Sequence, residues 1–359
     1  MITFELSADQ KMAQSAMQDF AQSALRPVAR KQDTESRIAP ETLAALWEAG
    51  IVQSQAGDEG TRSAVLNAIV LEELAVGDAT LALALAAPMA FVQAIVDHGS
   101  PAQHAAYLPL FEGAKYQAAA VALLEGGFGS DVTKPRTTAV ETDKGWRLDG
   151  RKTLVPLAGS CSHFLVIARV AEAREAFIVE RDAPGVRVEA AVPTVGLRAL
   201  EMADVVFDDV QLPASARLGE ADGCDVQRII DSSRAGLAAV MTGLARGVME
   251  YVIPYTKDRQ VFGTALARKQ VIAFRIADMH IDVNAMRWMA WRAASELEKG
   301  QNATRSAMLA YTYAAQHAMA IADEGVQALG GHGYVRAHPM EMWYRNARAI
   351  SMLEGMAGV

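Results

Sequence analysis

Hydrophobic residues recur at helical spacing towards both ends of this 359-residue chain, whereas its middle contains short β-branched runs. Towards the C-terminal end, one apolar seam repeats every three or four residues, with one gap of seven. Its members are Ile272, Ile276, Met279, Val283, Met286, Ala290 and Leu297. A seam with this spacing predicts long helices that pack in an antiparallel bundle, and Gly300 is typical of the residue just past a helix end.

The N-terminal part is also predicted to be helical. Ser7 and Gln10 match a capping box, in which each side chain accepts a hydrogen bond from a backbone N–H at the start of the helix. The apolar stripe behind this box is expected to end near Pro27. A second helix is expected to start near Pro40 and to stop at Gly50, because proline suits the first turn and glycine the position after the last turn.

The middle of the chain has a different pattern. Short runs rich in β-branched residues predict strands, and they are HFLVIARV, EAFIVE, GVRVEA and DVVFDDVQL. The Asp149-Gly150 pair predicts a hairpin turn between two further strands. The predicted fold class is mostly α with a β insert. It comprises an N-terminal helical domain (1–115), a small barrel-like or sandwich-like β-domain (116–215) and a C-terminal antiparallel four-helix bundle (216–359).

Composition argues against several classes of function. The formal net charge of −8 disfavours a nucleic-acid partner, although a local basic patch would still allow a phosphorylated small molecule. Cys161 and Cys224 are the only cysteines, which suggests a reducing compartment and no disulfide scaffold. The first residues lack the basic start and the apolar run of a signal peptide. We therefore expect a cytoplasmic protein, and no residue pattern predicts a metal site.

The most apolar stretch, residues 79–96, is just long enough to cross a bilayer. Pro88 and Gln93 interrupt this stretch and alanine dominates it, which favours a buried core helix. We therefore expect no membrane span.

Two glycine-containing stretches are candidates for ligand binding. In LLEGGFGSDV, Gly129 permits close approach of the backbone to a ligand, and Ser130 can donate a hydrogen bond to an oxyanion. A plain interdomain loop is the alternative interpretation. In VQALGGHGYV, the pair Gly330-Gly331 follows a long helix. Its N–H groups would face a diphosphate or an adenine edge, or the pair would simply end the helix.

Two further stretches carry chemically useful side chains. In KDRQVFGTALARKQ, Arg259 offers a planar group suited to a phosphate, Phe262 a stacking face and Gln270 an amide. A capped helix break with a surface arginine is the alternative here. In SMLEGMAGV, Glu354 stands among apolar residues. This carboxylate is either a solvated charge near a mobile end or a desolvated base.

Taken together, these stretches and their order resemble the acyl-CoA dehydrogenase family. The resemblance runs from about residue 5 to residue 356. The matching pieces, in family order, are LEELAVGDATLALAL, EGGFGSDV, GWRLDGRK, GLRALEMADVVFDDVQLP, SRAGLAAVMTGLARGVMEY, DRQVFG, IADM, QALGGHGYV and LEG. The resemblance implies FAD as the cofactor, an acyl-CoA as the substrate and an electron acceptor such as electron-transfer flavoprotein. It also implies a homodimer or a homotetramer.

By this resemblance, Glu354 is the base that removes the α-proton of the thioester, and a hydride then passes to the flavin. A flavin hydroxyl and the N–H of Glu354 itself would bind the thioester oxygen. Desolvation would raise the pKa of Glu354 towards the operating range. Ser233 occupies the position at which some family members keep their base, and a serine cannot serve that role.

The resemblance also implies which residues contact ligands. Those predicted to contact the substrate are Ser130, Asp231, Arg234 and Gly355. Those predicted to bind FAD, several of them across a subunit interface, are Gly129, Ser130, Arg259, Phe262, Gln270, Gln327, Gly330 and Gly331. Arg234 matches an arginine close to the catalytic pocket. An ion pair with Asp231 at the helix start is the alternative interpretation of Arg234.

The departures from the family pattern concern the flavin. Leu124, Leu154 and Pro156 stand where the family has threonine, tryptophan and threonine, and Met356 replaces another threonine. None of these side chains can donate a hydrogen bond to a flavin ring. The family also continues with another helix where this sequence stops at Val359, so we expect a shortened C-terminus and a more open substrate pocket.

The leading hypothesis is therefore an FAD-dependent acyl-CoA dehydrogenase with a divergent flavin pocket. The alternative is a non-catalytic or half-competent subunit of a hetero-oligomeric acyl-CoA dehydrogenase. Glu354 argues for catalysis, whereas Leu124, Pro156 and Met356 argue for a degenerate flavin site. An oxidase or a flavin monooxygenase on the same fold is a third possibility.

Overall fold

The computed structural model describes residues 5–56 and 62–359. Up to residue 111, the described chain is helical. Its α-helices are α1 (Ala8–Phe20), α2 (Arg26–Glu35), α3 (Pro40–Glu48), α4 (Ile51–Ala56), α5 (Ala64–Gly77), α6 (Ala79–His98) and α7 (Pro101–Tyr107). A short 3-10 turn, Leu108–Phe111, leads out of this region.

The start of the first helix agrees with the prediction from the sequence, but its end does not. The capping box forms as predicted, because Ser7 Oγ accepts from the Gln10 N–H and Gln10 Oε1 accepts from the Ser7 N–H. The expected stop near Pro27 is wrong, since a π-helical turn, Ala21–Leu25, joins α1 to α2 and the helix runs on to Glu35. The widened turn places Pro27 in the first turn of α2, where a missing N–H costs little.

The strands of the middle region form one seven-stranded sheet with a curled shape. They are β1 (Ala119–Ala122), β2 (Thr138–Thr142), β3 (Gly145–Pro156), β4 (His163–Val170), β5 (Ala173–Glu180), β6 (Val186–Val188) and β7 (Met202–Leu212). The strand order is β1-β4-β2-β3-β7-β6, and β5 pairs with β4. β1 and β4 run parallel, and the chain directly after β1 contacts β3, where the Leu124 carbonyl accepts from the Thr153 N–H. The predicted fold class is confirmed.

The hairpin predicted at Asp149-Gly150 is wrong. β3 runs through both residues, and the turn lies at residues 143–144, between β2 and β3. Gly150 instead occupies an irregularity in the pairing of β3 with β7. A Cβ at this position would lie 2.5 Å from Thr137 Oγ1, so glycine is required there by close packing rather than by a turn.

Long helices form the C-terminal region. They are α8 (Val226–Asp258), α9 (Gln270–Glu298), α10 (Thr304–Leu329) and α11 (Met340–Ile350). A small hairpin, β8 (Gln260–Val261) with β9 (Thr264–Ala265), separates α8 from α9, and the 3-10 turn Gly330–Tyr334 follows α10. The predicted seam is buried from Met279 to Leu297, whereas Ile272 and Ile276 are half-buried. Gly300 has the expected positive φ of 66°.

A buried cluster of charges joins the two helical regions. Arg246 on α8 contacts Glu72 and Glu73 of α5, and its Nη1 lies 2.9 Å from Oε1 of each. Arg287 of α9 donates to Glu72 Oε1 over 2.7 Å, and Gln14 of α1 donates to Glu73 over 2.9 Å. Because each buried carboxylate has a cationic partner, the cluster fixes α8 relative to its neighbours without an unpaired charge.

Two helices of the described residues, α6 and α8, have the length and composition of a membrane span. In α6, 94% of the apolar window is buried inside the protein, and in α8 the share is 83%. Pro88 lies within α6 without ending it. The prediction that residues 79–96 form a core helix is therefore confirmed.

Candidate active site

Glu354 lies in a packed segment that follows α11. The residues on either side, Leu353 and residues 355–359, are buried, and the Glu354 side chain itself is only 14% exposed. The Tyr311 hydroxyl of α10 donates to the Leu353 carbonyl over 2.9 Å and holds this segment on the helices. The interpretation of Glu354 as a solvated charge near a mobile end is therefore wrong.

Arg234 is the partner of Glu354. The arginine side chain is 8% exposed, and its Nη2 lies 3.1 Å and 3.3 Å from the two carboxylate oxygens, while Nε lies 3.3 Å from Oε1. Asp231, one turn earlier on α8, accepts instead from Gln227 over 2.8 Å and from Thr304 over 2.7 Å. The alternative of an Arg234–Asp231 pair is therefore wrong.

The environment of Glu354 acts on its pKa in two directions. Burial raises the pKa, and the charge and hydrogen bonds of Arg234 lower it, with a net shift above the ordinary range of a glutamate. The nearby charges of Asp131 and Asp231 also raise it. A carboxylate with a raised pKa is a stronger base once it is ionised, so this environment suits proton abstraction.

Gly355 fixes the backbone that follows the carboxylate. Its φ of 84° is accessible to glycine at little cost, and a Cβ at this position would lie 2.8 Å from Leu123 Cβ of the sheet. Its N–H donates to Ser233 Oγ over 2.8 Å. Ser233, the neighbour of Arg234 on α8, therefore holds the backbone directly after Glu354.

A narrow cavity passes this segment. Ser233 and Gly355, the sequence neighbours of Arg234 and Glu354, line it, and the walls are largely small or apolar. The lining also includes the charged residues Arg62, Asp97 and Arg228. The residues lining the rest of the cavity are Ala90, Gln93, Ala94, His98, Val121, Leu123, Ile229, Ser232, Ala357 and Gly358. Among the residues predicted to contact the substrate, Gly355 lines this cavity, whereas Asp231 is buried behind it.

The glycine-rich loop after β1 is anchored by a buried ion pair. Lys152 Nζ of β3 lies 2.8 Å from Glu125 Oε1, and the Glu125 carboxylate also accepts from the Arg136 and Thr137 N–H groups. Burial lowers the pKa of Lys152 to about 8. Burial opposes ionisation of Glu125 too, but Lys152 holds the pKa of that carboxyl at about 2. This anchor leaves the tip of the loop, with Gly129, free to face solvent.

This ion pair was missed as a site feature in the sequence. The available signal was a lysine within the β-rich run GRKTLV and a glutamate directly before the glycines. Gly129 and Ser130 are exposed, and no heavy atom lies within 4 Å of a Cβ placed at Gly129. The loop backbone is therefore open to a ligand.

The other residues predicted to bind FAD lie on a second surface. All are exposed, and they are Arg259, Phe262, Gln270, Gln327, Gly330 and Gly331. The Tyr255 hydroxyl lies 2.7 Å from His332 Nδ1, which ties the last turns of α8 to the glycine turn after α10. Open space surrounds Gly330 and Gly331, and Phe262 is 94% exposed. The structure thus brings these residues together on one face.

This face is far from Glu354 within one chain. Arg234 is the ninth residue of α8 and Arg259 directly follows its end, and this separation of 25 residues corresponds to about 38 Å at 1.5 Å per residue. Within residues 5–56 and 62–359, Arg259 has no ion-pair partner. The two surfaces therefore contact one ligand only if a second subunit supplies one of them.

The four divergent positions offer no polar side chain. Leu124 is half-buried, and its carbonyl accepts from the Thr153 N–H over 2.9 Å. Leu154 has a φ of 50° at an irregularity of β3, Pro156 is paired with Met202 of β7, and Met356 is buried. A flavin ring at this place would therefore meet apolar side chains and main-chain groups.

Three models of one protein family match successive parts of the chain. They are described as the N-terminal domain of acyl-CoA dehydrogenase (residues 7–112), its middle domain (residues 120–210) and its C-terminal domain (residues 224–359). Together these matches cover nearly the whole chain.

Named relatives and a solved structure agree with these matches. A caffeyl-CoA reductase–Etf complex subunit from Acetobacterium woodii is 31% identical over 368 residues, covering 98% of this chain and 96% of the relative. A short-chain specific acyl-CoA dehydrogenase from Megasphaera elsdenii is 30% identical and covers 94% of this chain and 92% of the relative. The structure of butyryl-CoA dehydrogenase from Megasphaera elsdenii is 28% identical, with a TM-score of 0.89, and covers 99% and 96% of the two chains.

Replacing Glu125 with glutamine should destabilise the fold by about 3 kcal/mol, because Lys152 would stay buried without a counter-charge. Urea unfolding measures this loss. The double variant Glu125→Gln/Lys152→Met should recover part of it. Glu189→Gln removes an exposed pair with Arg187 and should cost less than about 1 kcal/mol. Equal losses for Glu125→Gln and Glu189→Gln would contradict the anchoring role.

Proposed function

Because the chain belongs to the acyl-CoA dehydrogenase family, we propose that Glu354 is the base that removes the α-proton of an acyl-CoA thioester. The protein is an FAD-dependent acyl-CoA dehydrogenase, which forms a trans-2-enoyl-CoA. The observation that carries the role of Glu354 is its burial, with a raised pKa, against Arg234, directly before Gly355, which lines a narrow cavity.

Glu354 and its neighbours supply the acid–base part of this reaction. The α-proton of a thioester is weakly acidic, so a base needs a raised pKa to take it near neutral pH. Arg234 keeps Glu354 ionised and oriented before the substrate arrives. The Glu354 side chain is only 14% exposed, and partial exclusion of water strengthens its interaction with Arg234.

Two separate groups of residues in this chain suit different parts of FAD. The open backbone at Gly129 and Ser130 suits the phosphates or the ribityl chain of the same subunit's flavin. The exposed set around Arg259, Phe262 and the Gly330 turn suits a diphosphate and an adenine ring of a neighbouring subunit's flavin. When bound, FAD accepts the hydride that leaves the β-carbon.

Partners follow from the same arrangement. The relative from Acetobacterium woodii is a subunit of an Etf complex, which supports an electron-transfer flavoprotein as the electron acceptor of this chain. The separation of Glu354 from Arg259 along α8 supports a homodimer or a homotetramer. The short-chain relatives support butyryl-CoA as a substrate. The cytoplasm is the proposed location.

The alternative of a non-catalytic or half-competent subunit is not favoured. The relative and the solved structure from Megasphaera elsdenii are acyl-CoA dehydrogenases, and the chain covers almost their full length. A structural subunit would also have no use for a buried carboxylate held beside a cavity. The apolar residues Leu124, Leu154, Pro156 and Met356 then indicate an altered flavin contact rather than a lost site.

Glu354→Gln should abolish proton abstraction while leaving FAD bound. Exchange of the α-hydrogens of butyryl-CoA in D₂O, followed by mass spectrometry, should slow by at least about 100-fold. The ratio of flavin to protein absorbance should not change, because the carboxylate does not hold the cofactor. Glu189→Gln, an exposed change of the same kind, serves as the control. Unchanged exchange in Glu354→Gln would exclude this residue as the base.

Arg259→Ala should weaken FAD binding by about tenfold or more, because a charge-assisted hydrogen bond to a phosphate would be lost. Equilibrium dialysis with FAD measures the affinity, and sedimentation measures the oligomeric state of the loaded protein. Arg268→Ala, an exposed arginine of the same loop region, is the matched control. Full flavin occupancy of Arg259→Ala at low FAD concentration, or a flavin-loaded monomer, would contradict a role across a subunit interface.

A further inference from the structure

A cavity of about 280 Å³ lies where α2, α8 and the start of α11 meet. Its described lining contains none of the residues that the sequence assigned to the substrate or to FAD. Three arginines line it, Arg26, Arg30 and Arg336, and no aspartate or glutamate is among the lining residues that the structure describes. Cationic walls without an acidic group give the cavity an excess of positive charge, which attracts anions.

The three arginines differ in their counter-charges. Arg30 contacts the Glu341 carboxylate and donates to the His338 carbonyl over 2.8 Å. Within residues 5–56 and 62–359, neither Arg26 nor Arg336 has an ion-pair partner. Two positive charges of this cavity are therefore not neutralised by direct contact with the protein.

Arg26 is held at the cavity wall by groups that carry no negative charge. Its guanidinium lies over the Trp343 ring, 5.0 Å from the centroid, and Nη2 donates to the Val76 carbonyl over 2.6 Å. Burial lowers the pKa of Arg26, and the charges of Glu250 and Asp78, which raise it, only partly oppose this effect. The half-buried cation therefore lacks the close anion that would stabilise it.

The Arg26 Nε is also buried without a hydrogen-bond partner in the described part of the chain, but this alone is not unusual. The Nε atoms of Arg62 and Arg217 are unpartnered too. Arg62, however, pairs with Asp97 through Nη1. Arg217 pairs with Glu175 through Nη2 over 2.7 Å. Arg26 differs from both, because its guanidinium has no carboxylate partner and lies at a cavity with room for a small ligand.

We propose that this cavity binds a phosphate group through Arg26 and Arg336. A carboxylate would balance only one of the two positive charges, whereas a phosphate carries a charge of about −1.5 to −2 near pH 7. A guanidinium donates charge-assisted hydrogen bonds to phosphate oxygens, and stacking on Trp343 leaves the edge of the Arg26 group available for them.

Two sources of this chemistry suit the cavity. Inorganic phosphate would occupy part of its volume, and the monoester of a small organic molecule would fill more of it. Tyr251 and His338 also line the cavity, but the Tyr251 hydroxyl lies 2.8 Å from His338 Nδ1, so these two atoms satisfy each other. The arginines therefore carry the recognition. This assignment goes beyond the proposed function and does not depend on the role of Glu354.

Equilibrium dialysis of the FAD-loaded protein against radiolabelled inorganic phosphate, at constant ionic strength, tests the assignment. Bound FAD fills the other predicted phosphate site, so we expect one phosphate per chain. In Arg26→Gln the affinity should fall about tenfold or more, because charge-assisted hydrogen bonds are lost. In Arg336→Gln it should fall about threefold, since this arginine is exposed and solvent screens its charge. Arg268→Gln, another exposed arginine, is the matched control and should bind phosphate like the wild type.

Competition with glycerol 3-phosphate separates the two sources. Displacement of the label at a lower concentration than unlabelled phosphate requires would identify an ester, and the reverse order would identify free phosphate. If the wild-type protein retains no label at millimolar phosphate, or if both variants bind it as tightly as the wild type, the assignment is overturned. Because Arg336 is exposed, its variant decides the matter even if Arg26→Gln does not fold.

Discussion

The ion pair between Arg234 and Glu354 is the interaction on which the site depends. It joins α8 to the segment after α11, two parts of the chain that are 120 residues apart. Burial favours the neutral carboxyl group, and the guanidinium opposes it, so the pair sets how readily Glu354 takes up a proton. The pair needs a fixed α8, and the Arg246 cluster with Glu72 and Glu73 holds the helix twelve residues further along.

The buried, paired residues of the site and its exposed glycine-containing turns have different functions. The buried residues of the site are paired: Ser233 holds the backbone beside the base through the Gly355 N–H, and Lys152 pairs with Glu125 to anchor the glycine-rich loop. The residues that would hold the cofactor lie in exposed glycine-containing turns with free space around the backbone. An enzyme that supplies its own base and binds a large cofactor between subunits requires this division.

Much of the fold followed from periodicity, because long amphipathic helices and β-branched runs carry strong local signals. The seam of α9 and the capping box at Ser7 were predicted correctly for this reason. Predictions failed where packing between distant segments decides the outcome. Gly150 looked like a turn residue but fills a close contact with Thr137, and a π-helical turn carries the chain past Pro27.

The candidate site shows the same limit of sequence reasoning. Glu354 and Arg234 were both identified, but local spacing equally allowed a pair between Arg234 and Asp231 on one helix, and only the folded chain shows which acid the arginine meets. Gln93 appeared in the sequence merely as an interruption of an apolar stretch. Its burial and its unpaired amide result from tertiary packing.

The pH dependence of α-hydrogen exchange in Arg234→Met, compared with wild type, tests the central claim most directly. Glu354 must be ionised to accept a proton, so exchange rises with pH through its pKa. Loss of the guanidinium removes the interaction that lowers this pKa, and the rising limb should therefore move to higher pH. Arg268→Met, on the distant loop, should leave the limb in place. A limb that stays unchanged in Arg234→Met, or that moves to lower pH, would contradict the role of the ion pair.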